Sequence, residues 1–95
     1  MRVRYTPRAF ADREQIFDYL MQRSPSGASN VMETIRAAVA QLGEQPYSGY
    51  ATDLPDVRVK FIGRYPYKIF YRMREETVEI IHIRHTARRP LRAGR

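Results

Sequence analysis

The chain has 95 residues, no cysteine, 43% apolar and 28% charged residues, and a formal net charge of +7. That size and composition suit a globular chain folded around one core rather than a disordered one, and they exclude disulfides and thiolate metal sites. No apolar stretch approaches the roughly 20 residues of a membrane-spanning helix, and the N-terminus, MRVRYTPRAF, lacks the apolar core of a signal peptide. The expectation is one domain, residues 1–95, in the cytoplasm, without a membrane partner.

Met1 to Tyr5 alternates, with Val3 between Arg2 and Arg4, and predicts a short strand. Thr6-Pro7 is a helix start: threonine as N-cap, proline at the first helical position, where its missing N–H costs nothing. Phe10, Ile16, Phe17, Leu20 and Met21 mark one face of a helix to about Gln22. Ser24-Pro25 repeats the start signal. Ala28, Val31, Met32, Ile35, Ala38, Val39 and Leu42 recur at three- and four-residue spacing, the stripe of a second amphipathic helix, with Gly43 as its expected C-cap. The short link makes the two an antiparallel hairpin.

Glu44 to Pro55, with Pro46, Gly49 and Pro55, reads as an irregular connection. Three strand signals follow: Val57–Ile62, Tyr67–Arg74 and Thr77–Arg84, with turns at Gly63–Pro66 and Glu75-Glu76. Such short connections make antiparallel neighbours. Along the middle strand Tyr67, Ile69, Tyr71 and Met73 point one way, and Lys68, Phe70, Arg72 and Arg74 the other. Arg58 and Lys60 alternate with Val57, Val59 and Phe61 and are expected on the exposed face of their strand. The predicted fold is two-layered α+β: an N-terminal strand, a helical hairpin, then a three-stranded antiparallel meander. The tail Arg88–Arg95 is expected to be mobile.

Charge divides along the same line. Before Val57, six arginines stand among seven acids; from Val57 on, eleven Lys and Arg meet only Glu75, Glu76 and Glu79. A segregated charge of that size faces an anionic partner, either nucleic acid or an acidic polypeptide. The alternative is a solvated sheet face whose charges discourage edge aggregation. Tyr65 and Phe70 could stack bases, whereas Tyr67 and Tyr71 fall on the core-facing side. Metal-free RNA cleavage needs a base for the 2′-hydroxyl, cations for the phosphorane and an acid for the leaving oxygen. Arg58, Lys60, Arg64, Arg72 and Arg84 could serve as cations, and His82, His85 or Glu79 as acid–base groups. The favoured reading of His85 is nevertheless a strand-end histidine bonded to backbone or to a tyrosine, and a packed, satisfied ring is favoured more strongly still for His82. No metal-ligand spacing or phosphate-cradling glycine loop is present, so no cofactor is implied.

Tyr65-Pro66-Tyr67-Lys68-Ile69-Phe70-Tyr71-Arg72, a two-residue turn, then Val78 to Arg89 resembles the C-terminal signature of the ParE/RelE superfamily of toxins from bacterial type II toxin–antitoxin modules. The hairpin with Thr6-Pro7 and Ile16-Phe17-Asp18-Tyr19-Leu20 fits the same resemblance. The ending His85-Thr86-Ala87-Arg88-Arg89 resembles the ParE-type ending more than the RelE-type one. The resemblance implies a toxin that inhibits DNA gyrase by binding it and is neutralised by a cognate, acidic, ParD-like antitoxin. On that reading Arg58, Lys60, Arg64, Lys68, Arg72, Arg84, Arg88 and Arg89 form the basic face for target or antitoxin. Phe10, Phe17, Leu20, Val31 and Ile35 form an apolar groove for the antitoxin. The alternatives are a RelE-like, ribosome-dependent mRNA endonuclease using Lys60, Arg64, Arg84 and His85, and a basic nucleic-acid-binding module without toxicity.

Overall fold

The computed structural model describes residues 1–87, so Arg88, Arg89 and the tail expected to be mobile lie outside the described residues. The elements in chain order are β1 (Arg2–Tyr5), α1 (Pro7–Met21), α2 (Pro25–Glu44), β2 (Tyr50–Ala51), β3 (Arg58–Ile62), β4 (Tyr67–Arg74) and β5 (Thr77–His85). The strands form one sheet in the order β1-β5-β4-β3-β2. The expected meander β3-β4-β5 is its antiparallel centre. Two further pairings complete it. β1 runs parallel to β5, from Arg2 opposite Thr77 to Tyr5 opposite Ile80. Tyr50–Ala51, inside the expected irregular connection, forms a two-residue strand against β3.

The helix starts are built as their sequences suggest. The Thr6 hydroxyl accepts the Ala9 N–H at 3.2 Å and donates to Ile80 O at 2.8 Å, while the Thr6 N–H donates to the same carbonyl at 3.0 Å. One residue thus closes the β1–β5 ladder and opens α1. Ser24 Oγ accepts the Gly27 N–H at 3.1 Å and opens α2. Gly43 is not the C-cap: it lies within the last turn of α2, whose C-cap is Gln45. The reason is close packing. A Cβ on Gly43 would lie 2.9 Å from both Met1 O and Val3 Cγ2, and the terminal ammonium of Met1 donates to Gly43 O at 2.8 Å. The missing side chain lets β1 approach α2.

Both helices cover one face of the sheet. Ala9, Val31, Ile35, Val39 and Leu42 meet Ile62, Tyr67, Ile69, Tyr71, Val78, Ile80 and Ile83 there. Tyr67, Ile69 and Tyr71 therefore face the core, with Met73 packed at its margin. The Tyr71 hydroxyl donates to Pro46 O at 2.7 Å and accepts the Gly49 N–H at 3.0 Å, pinning the chain between α2 and β2. The opposite face carries its own small cluster, Val57, Val59 and Phe70, covered by Leu54 and Ile81. A shift in the β4–β5 register sets Phe70 opposite His82 and Tyr71 opposite Ile80, leaving Ile81 as the extra residue of a bulge.

Arg58 and Lys60 depart from their expected side. They stand opposite Tyr71 and Ile69, so they share the helix-side face, and Val59 and Phe61 take the open one. Apolar residues on both faces of β3 serve two separate clusters, so alternation alone does not tell its sides apart.

Candidate functional site

A cleft of about 830 Å³ opens between α1 and the ends of β4 and β5. Arg8, Asp12, Gln15, Ile16, Tyr19 and Leu20 of α1 form one wall, Val31 lies at its base, and Tyr65 to Tyr67 with His82 to His85 form the other. The cleft exists because β5 outruns β1. Tyr5–Ile80 is the last rung, and beyond it the α1 carboxylate of Asp12 takes the place of a strand. Its Oδ2 accepts the Ile83 N–H at 3.1 Å and meets His82 Nδ1 at 2.9 Å, while Oδ1 accepts from Arg8 Nε at 3.2 Å. Asp12 was not among the residues singled out in the sequence. The Arg8–Asp12 spacing is a helix-pair signal, but nothing in it points to a histidine far along the chain.

A carboxylate holding an imidazole is half of a nucleophile-activating arrangement. The other half is absent among the described lining residues, whose hydroxyls are all phenols. Burial, and then the neighbouring Tyr19, push the Tyr67 phenol above its ordinary pKa, so it stays protonated at neutral pH. The Asp12–His82 pair thus acts as a clasp between helix and strand. His85 is exposed; its ring meets Tyr67 edge-on with centroids 5.6 Å apart, and its Nδ1 accepts the Ala87 N–H at 3.1 Å.

The expected apolar groove is distributed differently. Leu20 and Val31 line the cleft, but Ile35 is 1% exposed in the core, and Phe10 is 51% exposed beneath the Arg13 guanidinium. Phe17 is half-buried and outside the cleft lining. Both helices lie on the sheet, so the α2 stripe is spent on the core. The aromatic walls of the cleft come instead from Tyr19, Tyr65 and Tyr67.

The expected basic face also divides. Arg58 Nη2 donates to Gly49 O at 2.7 Å and its guanidinium lies 5.3 Å from the Tyr47 ring centre. Lys60 Nζ reaches Ser48 Oγ at 3.5 Å. Arg64 is exposed in the β3–β4 turn. On the open face Lys68, only 6% exposed, stands opposite Arg84; burial and the Arg84 charge lower its pKa. Arg72 Nε donates to Glu79 Oε1 at 2.9 Å, Arg4 also bonds that carboxylate, and Arg74 Nε stands 4.0 Å away. Arg4 belongs to this group because of the β1–β5 pairing. Among the described residues no group of three or more His, Asp or Glu could hold a metal ion, and no helix is long and apolar enough to cross a membrane.

Residues 3–90 match the family described as the ParE toxin of the type II toxin–antitoxin system, parDE. A curated relative from Sinorhizobium fredii, named "Putative toxin Y4kP", is 33% identical over 84 residues, covering 88% of this chain and 86% of its own. The fold is shared with a chain of the chromosomal ParDE system from P. aeruginosa, with a TM-score of 0.80 at 24% identity, covering 90% of this chain and 95% of that one. It is shared also with the isolated E. coli RelE toxin, with a TM-score of 0.67 at 15% identity and coverage of 93% and 86%. A chain of the RelBE2 toxin–antitoxin complex from Mycobacterium tuberculosis gives 0.61 at 22% identity, with 92% of each chain covered.

Proposed function

The chain belongs to the ParE toxin family of type II toxin–antitoxin systems, and we propose that it acts by binding DNA gyrase in the cytoplasm, stalling the enzyme on broken DNA. One observation carries the choice of binding over cleavage: the residues an mRNA endonuclease would need are split between the two faces of the sheet. Lys60 registers with Ile69 on the helix side, whereas Arg84 registers with Lys68 on the open side. His82 is held by Asp12, and His85 leans on Tyr67. A metal-free cleavage centre needs cations and a proton-transfer group around one phosphate; a binding toxin does not.

The antitoxin of this reading is a ParD-like acidic chain. The +7 charge favours its approach. The cleft, with Leu20 and Val31 among Tyr19, Tyr65 and Tyr67, suits the apolar anchors of an amphipathic helix. The test is to add purified protein to a gyrase supercoiling reaction and, separately, to translating ribosomes. Loss of supercoiling with accumulation of cleaved DNA is expected, with translation unaffected. Cleaved mRNA in the second reaction with supercoiling intact would reverse the assignment.

A further inference from the structure

The open face of the sheet holds an arrangement that neither the cleft nor the gyrase reading uses. Glu79, 2% exposed, lies in the middle strand of three. Arg4 of β1 and Arg72 of β4 stand directly opposite it on either side, and both guanidiniums bond its carboxylate. One rung further, Arg2 and Arg74 flank Thr77 in the same way. Residues two apart on a strand share a face. Strand spacing and rise therefore set the four arginines at the corners of a rectangle of about 10 by 7 Å.

The buried carboxylate lies against three of the four guanidiniums, those of Arg4, Arg72 and Arg74, with Arg2 one rung on, and the group stays net positive even with Glu75 and Glu76 of the adjoining turn counted. Glu79 fixes Arg4 and Arg72 through one edge of each fork, while the side chains of Arg4 and Arg74 stay 61% and 55% exposed. Guanidinium forks pair with phosphate oxygens two at a time. The same face runs on along β4 to the rung of Arg84 and the buried Lys68, roughly 13 Å beyond Arg72 and 20 Å beyond Arg74 by strand rise. Beside that rung stand two exposed aromatics, Phe61 opposite Lys68 and Tyr50 opposite Val59, 48% and 68% exposed with ring centroids 6.3 Å apart. Cations at both ends of a face, with open rings at one of them, match a chain of phosphates carrying unpaired bases better than an acidic peptide.

We infer that this face binds the backbone of a single-stranded nucleic acid: Arg2, Arg4, Arg72 and Arg74, organised by Glu79, hold phosphates, and Tyr50 and Phe61 stack bases. The assignment stands independently of gyrase as target.

The test is anisotropy of a dye-labelled oligothymidylate of about twelve nucleotides, titrated with the purified chain across a salt series. The double variant Arg2→Gln with Arg74→Gln leaves Arg4 and Arg72 on Glu79, so its thermal melt should match the parent's. Its binding should be weaker, and its slope of log affinity against log salt shallower by about 1.4, two contacts at about 0.7 each. Arg36→Gln on α2, where Arg36 pairs with Glu33, should change neither. Equal affinity and slope for parent and double variant would overturn the inference, and so would an equal loss in Arg36→Gln. Stronger displacement of the oligonucleotide by polyglutamate than by unlabelled oligothymidylate would assign the face to an acidic protein instead.

Discussion

The two faces of this sheet dispose of the same kind of side chains in opposite ways. The covered face buries Ile69, Tyr71, Val78 and Ile80 completely beneath two helices, and of its two cations on β3, Arg58 bonds the carbonyls of Tyr47 and Gly49 while Lys60 reaches the Ser48 hydroxyl. Among the described residues the open face has only the small cluster of Val57, Val59 and Phe70, and one buried acid, Glu79, holds Arg4 and Arg72 in place there. Stability on one side comes from excluded water, and on the other from charge balance. The covered face therefore holds most of the core, and the open face is where exposed guanidiniums remain.

The sharpest way to break that contrast is to strand Glu79. Removing Arg4 and Arg72 together leaves a carboxylate, 2% exposed in the parent, with only Arg74 Nε, at 4.0 Å, beside it among the described residues. Denaturant titration of Arg4→Ala with Arg72→Ala should show a loss of about 3–5 kcal/mol. Adding Glu79→Gln to the same chain should restore most of it, because the uncompensated charge has gone. If the triple variant is as unstable as the double, charge balance does not hold this face.

On the covered face the corresponding test is Tyr71→Phe. The ring keeps its packing, but the Gly49 N–H and Pro46 O lose their partner. An unsatisfied buried polar group costs about 1–3 kcal/mol, so the unfolding midpoint should fall, with amide exchange accelerated first at Gly49. An unchanged midpoint would mean that the loop re-pairs elsewhere and that the core alone supports this side.

Much of this was legible because it was local. Thr6-Pro7 and Ser24-Pro25 carry their cap chemistry within three residues, and Tyr67, Ile69 and Tyr71 alternate cleanly against Lys68, Phe70 and Arg72. His85 takes the Ala87 N–H and meets the Tyr67 ring edge-on, both close in the fold to the strand end where it sits. What escaped depends on contacts far apart in the chain. Asp12 and His82 are 70 residues apart, and Arg4 and Glu79 are 75 apart. Both contacts follow from β1 docking parallel to β5, a pairing that alternation within β1 does not encode. The sides of Arg58 and Lys60 were hidden because β3 is apolar on both faces.

The turn that carries the open face from β4 to β5 offers a smaller change of opposite sign. Glu75 and Glu76 both hold positive φ, 51° and 59°, which a side chain with a Cβ resists by about 1–2 kcal/mol per residue. Asparagine-glycine suits such a two-residue hairpin. Glu75→Asn with Glu76→Gly should therefore raise stability by about 1–2 kcal/mol, read as a higher melting temperature. The swap also removes two negative charges beside Arg74, so it should tighten oligonucleotide binding if the open face is the nucleic-acid surface.

The smallest effect concerns Lys68, a cation the open face partly buries. Burial first, and Arg84 second, lower its pKa below the ordinary lysine value. The folded chain therefore binds this proton less tightly than the unfolded chain does. The penalty is fully present below the folded pKa. It shrinks as pH rises through the interval between the two values and vanishes above the unfolded one, about 10.4. Lys68→Met keeps the length of the side chain without the charge, so it should be more stable than the parent at neutral pH, with the gap narrowing toward pH about 10.4. Urea unfolding of both chains across that range checks it, since tyrosine titration is common to the two and drops out of the difference. A gap that stays constant with pH would trace the gain to packing against Phe70, whose ring centre lies 5.6 Å from Lys68 Nζ, and not to relief of a confined charge.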